Sequence, residues 1–109
     1  MHPTKSMKPR LLEIWHGINR AGEVDCVSRY SDGSLRMRGR DGLPILERLR
    51  PGQDVEGRLR SFFNLSHLLM LPAAESSDKH PLVLALQSRA EELREAALDR
   101  ASASNTRAA

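Results

Sequence analysis

At 109 residues, with 39% hydrophobic and 28% charged side chains, the chain has the size and composition of one small globular domain rather than a disordered polymer. Its longest uncharged apolar run, Leu68 to Ala74, is far shorter than the roughly 20 residues that cross a bilayer, and its single cysteine, Cys26, permits no internal disulfide and fits a reducing, cytoplasmic setting. The net charge of +3 is unevenly placed: residues 1–60 carry twelve Lys or Arg against eight Asp or Glu, residues 61–109 five against six, and fourteen of the basic residues are arginine.

Residues 1–8 lack any apolar period and read as a flexible arm before a single domain over 9–101. Leu11, Leu12, Ile14, Trp15 and Ile18 then recur at spacings of three and four. Pro9 suits a first helical turn and Ala21-Gly22 a stop, which together predict a short helix over about 9–20, with an extended reading of LLEIWHGI left open. In EVDCVSRYSDGSLRMRGR, Asp32-Gly33 separates two alternating runs and predicts a two-residue hairpin turn. That register sets Tyr30 opposite Leu35, Arg29 opposite Arg36, Ser28 opposite Met37 and Val27 opposite Arg38. It gathers Arg29, Arg36, Arg38 and Arg40 on one face with Asp25 and Val27, and Val24, Cys26, Ser28, Tyr30, Leu35 and Met37 on the other.

Asp41-Gly42 and Pro51-Gly52 mark further turns. Residues 54–71 fit a helix capped by Asp54, with Val55, Leu59, Phe62 and Phe63 on one side. They also fit a strand in which Val55, Leu59 and Phe63 alternate with Arg58, Arg60 and Phe62. AAESSDKHP at 73–81 reads as a linker. The apolar stripe of Leu82, Leu84, Leu86, Ala90, Leu93, Ala97 and Leu98 predicts a helix over about 82–101, and 102–109 reads as a disordered tail. The fold class these elements imply is α+β: a small antiparallel sheet, open or partly closed into an SH3-like or Sm-like barrel, with a short N-terminal helix and a longer C-terminal one.

A catalytic centre is not legible. His2, His16, His67 and His80 lie at no metal-binding spacing, no cofactor is implied, and the glycines form no phosphate-cradling loop. Cys26 falls on the apolar face of the hairpin, where a thiol is poorly nucleophilic; a dyad with His67 is the only nucleophilic arrangement the residues suggest. The four hairpin arginines carry the functional reading. Like charges opposed across a ladder repel, and an anionic partner relieves that repulsion. The expectation is therefore a non-enzymatic nucleic-acid-binding protein working through Arg29, Arg36, Arg38 and Arg40. The alternative is a protein-interaction module, or a homodimer, working through the stripe of the C-terminal helix. Arg48, Arg50, Arg58 and Arg60 flank the Pro51 turn among Glu47, Asp54 and Glu56 and read as ordinary mixed surface.

The order of a short helix, a strand ending in Tyr30, a turn and Arg36, closed by Arg60-Ser-Phe-Phe-Asn-Leu65-Ser-His-Leu68, resembles the WYL domain of bacterial regulators. The resemblance spans Leu11 to Leu71 and implies a small Sm-like barrel. The name-giving central motif is missing, so no functional residue carries over.

Overall fold

The computed structural model describes residues 8–108, with side chains through residue 102, so the predicted arm lies, except for Lys8, outside the described residues. Five strands form one antiparallel sheet: β1 (Leu11–Ile18), β2 (Val24–Tyr30), β3 (Ser34–Arg38), β4 (Pro44–Arg48) and β5 (Ser66–Pro72), in the order β4-β3-β2-β1-β5. A short helix α1 (Val55–Ser61) links β4 to β5, and a long helix α2 (Pro81–Ala108) follows a 3₁₀ turn at Ala73–Glu75. The sheet is open, with β4 and β5 at its edges, so the architecture is α+β and the barrel alternative is not realised.

The predicted N-terminal helix is instead the interior strand β1. Hydrogen-bonded to β2 on one side and β5 on the other, it is covered on both faces, and Trp15, His16, Gly17 and Ile18 are all buried. A strand covered on both faces has no polar side to alternate with, and its unbroken apolar run imitates helical spacing. Gly17 sits where side chains leave no room: a Cβ there would lie 2.9 Å from Leu65 Cβ and 3.0 Å from Leu68 Cδ2. Residues 54–61 follow the helical reading, the strand alternation predicted over 55–63 is not realised, and the strand that forms, β5, starts only at Ser66. Asp54 caps α1 by accepting the Gly57 amide at 3.1 Å, and the chain then turns through Asn64 at positive φ into β5.

Each face of the sheet meets one helix. On the first face Trp15, Val27 and Leu35 pack with Leu59 of α1 and with Phe63 and Leu65 beyond it; this is the main core. On the second face α2 lies over β1, β5 and the start of β2, burying Ala90 of the predicted stripe and Val83, which lies outside it, with Ile18 and Leu71 buried on the sheet side. Leu86 and Leu93 of the stripe are half-buried, and Arg94 Nη1 donates to the Gly22 carbonyl. The helix begins one residue before the predicted start and runs on to Ala108, through most of the predicted tail. Among the described residues no helix covers the second face beyond β2, and that bare half of the sheet carries the candidate site.

Candidate functional site

The β2–β3 turn forms where the sequence predicts it, with one residue more in the loop. β2 ends at Tyr30 and β3 begins at Ser34, so Ser31, Asp32 and Gly33 make a three-residue connection. The Gly33 amide donates to the Tyr30 carbonyl at 3.0 Å and Gly33 adopts φ 86°, the left-handed conformation such loops need at their last position. Asp32 Oδ1 accepts the Ser34 amide at 2.9 Å and the Ser34 hydroxyl at 2.5 Å, locking the turn. Those two bonds, hydroxyl first, hold the Asp32 carboxyl below its ordinary range, with Arg48 and Arg36 adding to the effect.

The extra loop residue moves the ladder by one position. Ser28 lies opposite Arg36 and Arg29 opposite Leu35, rather than Arg29 opposite Arg36. Arg29 therefore leaves the predicted basic face, because successive residues of a strand point to opposite sides. It projects on the core side, where Nη1 donates to Glu13 Oε1 at 3.4 Å while Glu13 Oε2 accepts the Trp15 indole N–H at 2.7 Å. Arg29 is a structural residue, and its Nε is buried without a partner. Arg40 lies past the end of β3, its Nη2 3.3 Å from Glu23 Oε1. The structure brings together only Arg36 and Arg38 of the four.

In place of the lost pair, the register adds Arg48. Ser34 pairs with Arg48, Arg36 with Leu46 and Arg38 with Pro44, so Arg36, Arg38 and Arg48 share the bare face. The neighbouring strand positions on that face are Cys26, Ser28, Tyr30, Ser34, Pro44 and Leu46, none of them acidic. The three side chains are held differently. Arg36 is fixed: its guanidinium carbon stands 4.1 Å from the Tyr30 ring centroid, Nε donates to Ser34 Oγ at 3.2 Å, and Nη2 is 3.6 Å from Asp32 Oδ2. Arg48 Nη1 donates to the Asp32 carbonyl at 2.9 Å. Arg38 is exposed and makes no hydrogen bond or ion pair among the described residues. Beside Arg36 and Arg38 lies an open groove of about 450 Å³, lined also by Cys26, Ser28 and Pro44; Arg48 lies outside it.

Cys26 is exposed at the rim of this groove rather than buried, and its neighbour is His16 rather than His67. The β1–β2 register sets the two residues opposite each other, with Cys26 Sγ 3.2 Å from His16 Nδ1, while His16 Nε2 lies 3.1 Å from Ser76 Oγ. Partial burial raises the thiol above its ordinary value, assisted by Asp78 and Asp25, and burial lowers His16. A neutral imidazole beside a protonated thiol is an arrangement at rest, not an activated nucleophile. Among the described residues no group of three or more His, Cys, Asp or Glu is placed to hold a metal ion, and no helix is long and apolar enough to cross a membrane.

The sequence held a signal for the true register. With Arg29 opposite Arg36, Val27 would lie among arginines on the basic face; only the observed register puts Val27, Leu35 and Met37 on one side, where the core needs them. Compared with known proteins, the chain matches no family model, no curated protein and no solved structure, so the resemblance to the WYL domain gains no support.

Proposed function

We propose that this chain is a non-enzymatic binding protein that takes nucleic acid on the bare half of its sheet, through Arg36, Arg38 and Arg48. The observation that carries the reading is the composition of that half-face: three guanidinium groups on two adjacent strands, with no carboxylate at the neighbouring strand positions. Guanidinium groups suit phosphate because their planar forks donate two parallel hydrogen bonds. The partly exposed Tyr30 ring beside Arg36 adds a flat apolar surface at the same place. Contacts of this kind fix a strand by its backbone and carry little base information, so the binding is broad in sequence and steep in salt.

A protein-interaction role for α2 has less in its favour, since Val83 and Ala90 anchor the helix on the sheet and the exposed stripe members Leu82, Leu84, Ala97 and Leu98 lie at its two ends, not in one continuous patch. Fluorescence anisotropy with labelled single-stranded and duplex oligonucleotides tests the proposal. The chain is expected to bind, and the Arg36→Ala/Arg38→Ala double variant to lose at least tenfold in affinity. Equal binding by the two proteins, or none by either, would refute it.

A further inference from the structure

We propose that the corner between β4 and α1 is a phosphate-binding pocket, which meets the sheet face only at Arg48 and does not depend on the nucleic-acid reading. A cavity of about 490 Å³ opens there, with Glu47, Arg48, Arg50, Gln53 and Arg58 in its wall. That volume falls within the roughly 300–1,000 Å³ of small-ligand pockets and exceeds what one phosphate fills.

The wall is rich in donors and poor in free acceptors. Its one carboxylate, Glu47, has both oxygens engaged: Oε1 accepts the Arg48 amide at 3.0 Å and Oε2 is ion-paired with Arg58. The Arg50 and Arg58 guanidinium groups thus share a single acid that is already occupied, while Arg48 Nη1 is turned to the Asp32 carbonyl. The Arg50 side chain has no hydrogen bond or ion pair among the described residues. Gln53 Oε1 accepts the Arg50 amide at 2.8 Å, which leaves the Gln53 amide nitrogen as a further donor. Arg58 Nε is buried with no partner, an unsatisfied donor of the kind a bound anion relieves. Arg58 is also held in place, since its helix neighbour Leu59 is fully buried and its guanidinium carbon stands 5.6 Å from the Phe62 ring centroid.

No aromatic ring lines the cavity, so the recognised group is the phosphate and not a base. A phosphate with an unesterified dianionic end fits best, because two or three forks can share its oxygens. Such a group occurs on a free phosphate ester or at the end of a nucleic-acid strand.

The test uses the full ¹⁵N-labelled chain titrated with inorganic pyrophosphate and followed by NMR. Saturable shifts are expected at the Arg50 and Gln53 amides and at Arg58 Nε–Hε. Arg50→Gln, at an exposed position where the fold is not at risk, should weaken binding roughly tenfold, as the loss of one charge-assisted hydrogen bond implies. Arg36→Ala/Arg38→Ala should leave the pyrophosphate shifts intact, which separates this pocket from the sheet face even if that face binds nothing. Shifts reproduced by a 5′-phosphorylated oligonucleotide but not by its 5′-hydroxyl form identify a strand end as the source; shifts with pyrophosphate alone identify a free phosphate compound. Unmoved Arg50 and Arg58 signals, or equal binding by Arg50→Gln, would overturn the proposal.

Discussion

Replacing Leu59 with alanine should destabilise the protein more than any surface change, because it is the one fully buried side chain of α1. Leu59 has no exposed surface and packs among Trp15, Val27, Leu35, Phe63 and Leu65. The helix that carries it has only seven residues, including Gly57, whereas isolated helices below about 12–15 residues are marginal in water. Its persistence is therefore a matter of tertiary packing. Removing three carbons forfeits about 2 kcal/mol of transfer free energy at ~0.8 kcal/mol each. The cavity left behind brings the loss to about 3–5 kcal/mol where the site cannot collapse. Against a total of about 5–15 kcal/mol for a domain, that is a large share. Urea unfolding followed by circular dichroism and by Trp15 fluorescence measures it, with a lower midpoint expected at similar slope. Leu98→Ala, at a position 68% exposed, is the control and should stay within about 0.5 kcal/mol. A loss below about 1 kcal/mol for Leu59→Ala, or an equal loss for Leu98→Ala, would refute the packing described for α1.

Three further outcomes follow from the same geometry. Burial depresses His16 below its ordinary value of 6.5, so the unfolded chain takes up a proton at a pH where the folded one resists it; stability from this group is full above about pH 6.5 and falls as pH drops toward the folded value. Urea midpoints across that window should decline for the native chain and flatten for His16→Gln, and a flat native profile would contradict the assignment. Cys26 is raised above 9.0 by burial, so iodoacetamide should alkylate it more slowly in the folded protein at about pH 8 than in urea, despite its exposure. Faster alkylation of the folded form would mean that His16 activates the thiol. Gly17→Ala drives a Cβ into Leu65 and Leu68 and should cost about 1–3 kcal/mol by overpacking, read again from urea midpoints; a neutral result would show that β5 yields there.

The parts of the fold legible in the sequence were those governed by local chemistry. Asp32-Gly33 located a turn, Asp54 located a helix cap, and the spacing of Leu82, Leu86, Ala90 and Leu93 located α2. What escaped depended on distant partners. LLEIWHGI looks helical until β2 and β5 are known to flank it, and then both of its sides must be apolar. The hairpin register turned on whether Ser31 joins the loop, a choice that short-range turn preference leaves open and that the core face of Val27 and Leu35 decides. The same slip decided the site: it moved Arg29 to Glu13 and left Arg36 and Arg38 on the open side. Arg48 and the His16–Cys26 contact became visible only when the pairings of β3 with β4 and of β1 with β2 were known.

The hairpin arginines divide by sheet face: Arg29 is tied to Glu13 on the core side, and Arg36 and Arg38, on the open side, are the residues proposed to meet phosphate. The salt dependence of oligonucleotide binding tests it most directly, because each phosphate contact to duplex DNA adds about 0.9 to the slope of log K against log salt. Arg36→Ala/Arg38→Ala is expected to lower that slope by about 1.8 on duplex, while Arg29→Ala leaves the slope unchanged and lowers the urea midpoint. A slope reduced by Arg29→Ala, or untouched by the double variant, would contradict it.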